Sequence, residues 1–199
     1  MAMIPGQTQG ISTKQKKSRL FGLLISLGVF LIVIAIMAVI QVTPYAVYQN
    51  QAAGIRLKYP AYWKMIDHPE NRAIVGFVTP QQNAMDTFYE NVNITVYEIT
   101  AVSKTSLSLA QFSQMVIRQL TGTFENEIEV VESDSARLAG RPAYRFSYIA
   151  KVPKSPLKIM HVWVIAGTKA YIFTYSAAQK DFDVFRGEVT AMLKSFTIL

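Results

Sequence analysis

Cysteine is absent from the sequence, and histidine occurs only at His68 and His161. The lack of cysteine excludes disulfides, thiolate metal sites, thiol nucleophiles and a cysteine-linked lipid anchor. A glycine-rich phosphate loop and a Gly-x-Ser-x-Gly nucleophile motif are missing as well. These absences argue against an enzyme, and we expect a chain that binds rather than catalyses.

Charge is missing from residues 20–40, which contain mainly Leu, Ile, Val, Phe and Ala. A helix of this length spans about 30 Å, the thickness of the hydrocarbon core of a bilayer. The alternative is a cleaved signal peptide, whose apolar part runs over about 7–15 residues and ends at a small-x-small site. The run here is longer and has no good cleavage site. We therefore predict a transmembrane signal anchor over 20–42, with Leu20, Phe30 and Ile40 along its length.

No acidic residue precedes Asp67, so every charge in the segment before the predicted anchor is positive. The positive charges of this basic tail, residues 1–19, are Lys14, Lys16, Lys17 and Arg19. The next positive charge is Arg56. The positive-inside rule predicts a cytoplasmic N-terminus and an extracytoplasmic C-terminal domain, with the tail cations against anionic headgroups.

The net charge of the chain is +7, and it falls to +3 when the four tail cations are left out. The remaining basic residues are scattered singly along the sequence. Nucleic-acid binding domains concentrate such residues on one segment or face. We therefore expect no nucleic-acid partner.

Residues 43–53 are predicted to be a short connector, in which Tyr45 and Tyr48 lie at the membrane interface. The rest of the chain, 54–199, alternates between the periodicities of strands and helices. Strands are predicted at 54–60, 73–78 and 92–99, hairpins at 127–138/142–151 and 158–166/169–177, and helices at 108–120 and 180–195. Adjacent hairpins with two separated helices predict an α+β fold, an antiparallel sheet covered by helices.

Metal ligands could come from the turn-like segment Asp67-His68-Pro69-Glu70. Two ligand types at loop spacing are a weak pattern. His161 lies on a strand face with Ile159, Trp163 and Ile165, which is typical of a structural histidine. The histidines therefore point to a structural role more than to a metal centre.

An acidic run contains Glu125, Glu127 and Glu129, which project from one face if the segment is a strand. Such a face could attract calcium or a basic partner. The segment has no glycine-containing loop to fold oxygen ligands around an ion. We favour a solvated strand face and keep calcium as the only candidate cofactor.

Aromatic residues occur in two alternating sets, which are Tyr144, Phe146 and Tyr148 and, on another strand, Tyr171, Phe173 and Tyr175. A small sheet under helices needs this bulk, so most of them are predicted to be core. The alternative is an aromatic-lined pocket near Tyr144, Phe146 and Trp163 that binds a small ligand or lipid.

Several segments together resemble the PsbP domain, named after the extrinsic lumenal subunit of photosystem II. They are Gly54–Pro60 with Trp63, Asn91–Val96, the helix around Phe112, Ala139–Phe146, Ala170–Ser176 and Met192–Phe196. The resemblance covers residues 54–199.

The resemblance implies a central antiparallel sheet with helices on both faces, an α/β/α sandwich. It also implies a non-enzymatic domain that binds a larger protein assembly. A membrane helix replaces the cleaved targeting peptide or lipid anchor of photosynthetic members, and bacterial relatives such as DcrB-like envelope proteins occur outside photosynthesis. We expect a single-pass accessory or assembly subunit whose partners are the bilayer and an integral membrane protein complex. Its domain would lie in the periplasm, cell exterior or thylakoid lumen.

Overall fold

A computed structural model of the protein describes residues 44–67, 73–81, 88–99, 107–123, 127–152 and 155–199. They belong to the second of two compact units into which the chain divides, Pro44–Leu199. The predicted basic tail and anchor, residues 1–42, lie outside the described residues. Within the described part, no helix is both long and apolar enough to cross a bilayer.

The described residues form ten strands and two helices. The strands are β1 (Tyr45–Asn50), β2 (Ile55–Pro60), β3 (Lys64–Asp67), β4 (Ala73–Val78), β5 (Asn91–Glu98), β6 (Ile128–Leu138), β7 (Arg141–Ala150), β8 (Leu157–Ala166), β9 (Lys169–Ala178) and β10 (Thr197–Ile198). The helices are α1 (Leu109–Thr123) and α2 (Arg186–Ser195).

The strands form two antiparallel sheets. The large sheet has the order β3-β4-β5-β9-β8-β7-β6, and the small sheet has the order β1-β2-β10. Five of the six neighbouring pairs in the large sheet join strands that are consecutive in the chain, whereas β5 pairs with β9. The predicted antiparallel sheet is confirmed.

Each face of the large sheet carries its own apolar cluster, because successive side chains of a strand point to opposite faces. On one face, called here the α2 face, Val162 and Phe173 cluster with Val189 and Met192 of α2 and with Leu57 of the small sheet. On the opposite face, called the α1 face, residues of α1 cover the sheet; the buried members of that cluster are Ile99, Phe112, Phe146, Tyr148, Trp163, Ala170 and Ile172. Helices therefore lie on both faces, as predicted.

The turn between β6 and β7 follows the predicted hairpin. It contains two residues, Ala139 and Gly140, with φ of 51° and 71°. Two central residues with positive φ are characteristic of the tight hairpin turn whose twist matches that of the strands. Glycine adopts this conformation freely, whereas Ala139 is the only non-glycine residue with positive φ in the described ranges.

The connector predicted for 43–53 is corrected by strand β1, which pairs with β2 along its whole length. Tyr48, predicted at the membrane interface, instead packs edge-on against Phe77 with ring centroids 5.9 Å apart. The strand was missed because two of its outward-facing residues, Tyr45 and Val47, are apolar. An ordinary strand with one face in solvent alternates apolar inward residues with polar outward ones, and β1 does not show this alternation.

The C-terminal helix begins at Arg186, later than the predicted start at 180. Before it the backbone makes successive turns, with Asp181 N–H bonded to Ala178 O and Val184 N–H bonded to Asp181 O. Phe182 and Phe185 are buried in the α2-face cluster from these turns, not from the helix. The two phenylalanines are spaced in the sequence like residues on one face of a helix, which is why the helix was predicted to begin too early.

Two tryptophan indoles fix the helices to the sheets. Trp163 donates to Ser113 Oγ of α1 at 2.8 Å, and Ser113 donates in turn to Leu109 O. Trp63, just before β3, donates to Glu188 Oε2 of α2 at 2.9 Å. Buried N–H groups need such partners, so each bond restricts where its helix can lie.

Glu188 also binds the neighbouring Tyr62 hydroxyl, which lies 2.7 and 2.8 Å from the two carboxylate oxygens. Burial and this carboxylate raise the pKa of Tyr62 to about 12, so the phenol stays a donor at any physiological pH. One carboxylate therefore joins the β2–β3 corner to α2.

His161 lies on the α1 face, where its Nδ1 is 2.9 Å from Thr174 Oγ1. Its Nε2 is buried and has no hydrogen-bond partner among the described residues. Burial lowers its pKa to about 4, so the ring is neutral at neutral pH. It is a partly buried residue of the α1 face, in the place that its alternation with Trp163 predicts.

We predict that Glu188→Ala lowers the free energy of unfolding by about 1–3 kcal/mol, because it leaves the indole N–H of Trp63 buried without an acceptor. Glu188→Gln keeps one acceptor oxygen and should cost less than half as much. Urea unfolding of both variants checks this. An Ala variant within about 0.5 kcal/mol of wild type would show that the contact contributes nothing measurable.

We predict that acid destabilises the fold through His161. The folded pKa of about 4 lies below the ordinary value of 6.5, so the unfolded state binds the proton first. Stability should therefore fall as pH drops from 6.5 to 4, by at most about 3 kcal/mol. Unfolding free energies measured across this window should show a shallower fall in His161→Gln. An unchanged slope in the variant would contradict the assignment.

Candidate ligand groove

A half-open groove of about 330 Å³ lies on the α2 face, between α2 and the strands β6, β7 and β8. Its floor is apolar: Val162 and Val189 are buried, and Met160 and Leu193 are partly buried. The floor follows from strand alternation, since Met160 and Val162 point to the same face of β8. A ligand with an apolar part would gain from covering this floor.

Four cations line the groove, one from each surrounding element. They are Arg137 of β6, Arg145 of β7, Lys158 of β8 and Arg186 of α2. Among the described lining residues the only carboxylate is Glu132. The lining therefore combines an apolar floor with a positive excess.

Arg145 is held by the acidic residues of β6. Its Nε and Nη2 bind the two carboxylate oxygens of Asp134 at 3.1 and 2.8 Å, and Glu132 Oε2 lies 3.5 Å from Nε. The hydrogen bond from Arg145 lowers the pKa of Asp134. Ser147 Oγ donates to Glu132 at 2.9 Å. These groups satisfy one another, so they shape the wall rather than offer free charge.

Arg137 and Lys158 have no carboxylate partner within ion-pair distance in the described part of the chain. Arg137 Nη2 donates to Gly140 O at 2.6 Å, and Lys158 Nζ lies 4.3 Å from the centre of the Phe182 ring. Both contacts orient the charge without neutralising it. Arg186 is only loosely paired, with Nη1 3.4 Å from Asp183 Oδ1 on the exposed surface. The groove can therefore accept a carboxylate or another anion.

The predicted metal ligands are not brought together by what the structure describes. Asp67 ends the exposed strand β3, while His68 and Glu70 lie outside the described residues. No group of three His, Cys, Asp or Glu side chains within those residues is placed to hold a metal ion. The metal site near Asp67 stays a prediction.

The acidic run is described only in part. Glu127 and Glu129 are exposed at the start of β6, and Glu125 is outside the described residues. Glu129 is opposite Ile149 in the β6–β7 register, which places it on an edge strand open to solvent. This agrees with a solvated strand face, and calcium binding stays untested.

The groove cations are the functional residues that the sequence did not reveal. They are far apart in the sequence, and only the fold gathers them beside α2. A weak signal exists in Arg145, which alternates with the core positions Phe146 and Tyr144 and so must point to the other face of β7. The aromatic sets behave as predicted: Phe146 and Tyr148 are buried on the α1 face, and Phe173 and Tyr175 on the α2 face.

Comparisons with known proteins give both a family and structural neighbours. The PsbP family model matches residues 43–198. No curated protein matches the chain. The solved structure of cyanobacterial PsbP (CyanoP) from Synechocystis has a TM-score of 0.58 and 16% identity, covering 79% of this chain and 94% of that one.

Two further structures share the fold at low identity. LpqN of Mycobacterium tuberculosis, described as involved in cell envelope biogenesis, has a TM-score of 0.55 and 12% identity over 77% of this chain and 84% of that one. The Ran-binding protein Mog1p of Saccharomyces cerevisiae has a TM-score of 0.51 and 11% identity, covering 79% and 96%. Since these likenesses concern the fold, and the family model covers most of the chain, the comparisons support one conclusion: the protein belongs to the PsbP family.

Proposed function

We propose that this protein is a non-enzymatic, membrane-anchored accessory or assembly subunit that binds a larger membrane protein complex through its PsbP domain. The helix predicted at 20–42 anchors it with the N-terminus in the cytoplasm, and the domain lies on the other side. The observation that carries the binding role is the groove beside α2. It combines an apolar floor with two cations, Arg137 and Lys158, that have no carboxylate partner in the described residues.

The ligand that fits this groove is a segment of a partner subunit carrying carboxylates next to an apolar side chain. Lys158, opposite Ile149, and Arg137, opposite Pro142, lie at opposite ends of β7. Each would therefore bind a separate acidic group of the segment, and the apolar side chain would cover Val162 and Leu193. Charge complementarity of this kind selects a partner and speeds its association. One neighbour of the fold is described as Ran-binding, so the fold is compatible with a binding role.

A non-enzymatic role is favoured by the chemistry of the groove. Its described lining includes neither histidine nor cysteine, and its single carboxylate, Glu132, is occupied by Ser147 and Arg145. A general base needs a group that can take up a proton from a bound substrate. The lining thus supports binding better than catalysis.

A second candidate is the capture of a small amphiphilic anion, such as a fatty-acid carboxylate. The groove volume of about 330 Å³ favours it, since this is within the range of small-ligand sites. The groove is not the aromatic-lined pocket that the sequence suggested, because Tyr144, Phe146 and Trp163 belong to the cluster on the opposite, α1 face. Native mass spectrometry of the purified chain separates the two candidates: a retained small anion favours capture.

We predict that the double variant Arg137→Gln/Lys158→Gln binds its partner at least about tenfold more weakly, since a charge-assisted hydrogen bond contributes about 1.5–3 kcal/mol. Neither substitution leaves a carboxylate of the described residues without an ion-pair partner. The full-length protein would be recovered from its native membrane in mild detergent, with mass spectrometry of what co-purifies. Lys180→Gln, at an exposed site that does not line the groove, is the matched control.

The expected result is stoichiometric recovery of a membrane complex with wild type and with Lys180→Gln, and its loss with the double variant. Recovery of the protein alone, even under gentle solubilisation, would contradict the accessory-subunit role. Equal recovery with the double variant would instead contradict the groove as the binding site.

A further inference from the structure

The small sheet has an outer face that no described element covers. Side chains of β1 and β2 alternate, and Ile55 and Leu57 point inward to the core. The outward side chains are Tyr45, Val47, Gln49, Arg56, Lys58 and Thr197. Tyr45 and Val47 keep 39% and 49% of their surface exposed, which is high for apolar residues of a paired strand.

All charged side chains on the strands of the small sheet are positive. Strands β1, β2 and β10 contain two cations, Arg56 and Lys58, and no acidic residue. Neither cation is ion-paired within the described residues. In the register, Lys58 is opposite Val47 and Arg56 is opposite Gln49. Tyrosine and aliphatic side chains beside Lys and Arg are the composition of protein surfaces that lie at a membrane–water interface.

The chain enters the domain at this face. Pro44 O accepts a hydrogen bond from Ala61 N–H at 2.7 Å, and Tyr45 begins β1 directly afterwards. Three residues, 41–43, separate the uncharged run 20–40 from Pro44. The predicted anchor therefore ends only a few residues before β1 in the sequence.

We propose that the outer face of the small sheet docks on the anionic headgroup layer of the membrane that the chain is anchored in. Arg56 and Lys58 contact lipid phosphates, and Tyr45 and Val47 insert among the headgroups. This inference rests on the membrane anchor proposed above. Docking would fix the orientation of the domain, so that the groove beside α2 meets the partner complex in a defined direction.

The absence of cysteine makes a direct test simple. The full-length chain carries either Gln49→Cys on the outer face or Gln114→Cys, exposed on α1, as the matched control. Each cysteine is labelled with a nitrobenzoxadiazole fluorophore, and the chain is reconstituted in phosphatidylcholine liposomes with or without phosphatidylglycerol. A lipid with a nitroxide headgroup serves as the quencher.

We expect strong quenching at position 49, little at position 114, and dependence on phosphatidylglycerol. Each Lys or Arg near an anionic surface contributes about a fivefold factor to association, so Arg56→Gln/Lys58→Gln should lower the ratio of docked to undocked domain about 25-fold. High salt should act in the same direction.

Flotation of the liposomes after an alkaline wash tests the membrane anchor separately from the docking of the outer face. A chain that does not float with the liposomes would overturn the anchor, and the docking inference with it. A chain that floats but shows equal quenching at both positions, or quenching unchanged in the double variant, would overturn the docking inference and leave the anchor intact.

Discussion

The fold depends on the need to cover both faces of the two central strands, β8 and β9. Trp163 and Val164, adjacent on β8, point to opposite faces and are both fully buried. A sheet that is apolar on both faces needs a layer on each, because exposed apolar surface costs about 25 cal/mol per Å². Helix α1 covers one face, and α2 together with the small sheet covers the other. The indole bonds of Trp163 and Trp63 set the positions of these layers.

The groove exists because helix α2 is too short to cover the whole α2 face of the large sheet. Helix α2 has ten residues and is about 15 Å long, so it covers Val162 and Phe173 at the centre of the sheet. Towards the edge strand β6 the same face changes from apolar to charged, with Glu132 and Asp134 binding Arg145. Arg137 and Lys158 line the groove together with the partly buried Met160 and Leu193. An amphiphilic site thus arises where the core ends.

Much of the fold could be predicted from the sequence, because alternation and turn residues report local structure. The β6–β7 and β8–β9 hairpins and the α1 helix were predicted in this way, whereas the PsbP family was suggested by the resemblance of several segments. Strand β1 was missed because Tyr45 and Val47 face outward, and the start of α2 because buried Phe182 and Phe185 precede it in turns. The groove could not be predicted at all: Arg137, Arg145 and Lys158 come to line one groove only through the pairing of β6, β7 and β8.

The central claim is that the groove seats a carboxylate-bearing segment of a membrane complex. The most direct measurement places a photo-activatable benzoylphenylalanine at Thr190, an exposed residue of α2 that lines the groove, and at Gln114 of α1 for comparison. After irradiation in native membranes, mass spectrometry maps the cross-linked peptide. The account predicts that Thr190 cross-links to an acidic segment of one membrane-complex subunit and that Gln114 does not. Cross-links from both positions to the same peptides, or none from Thr190, would contradict it.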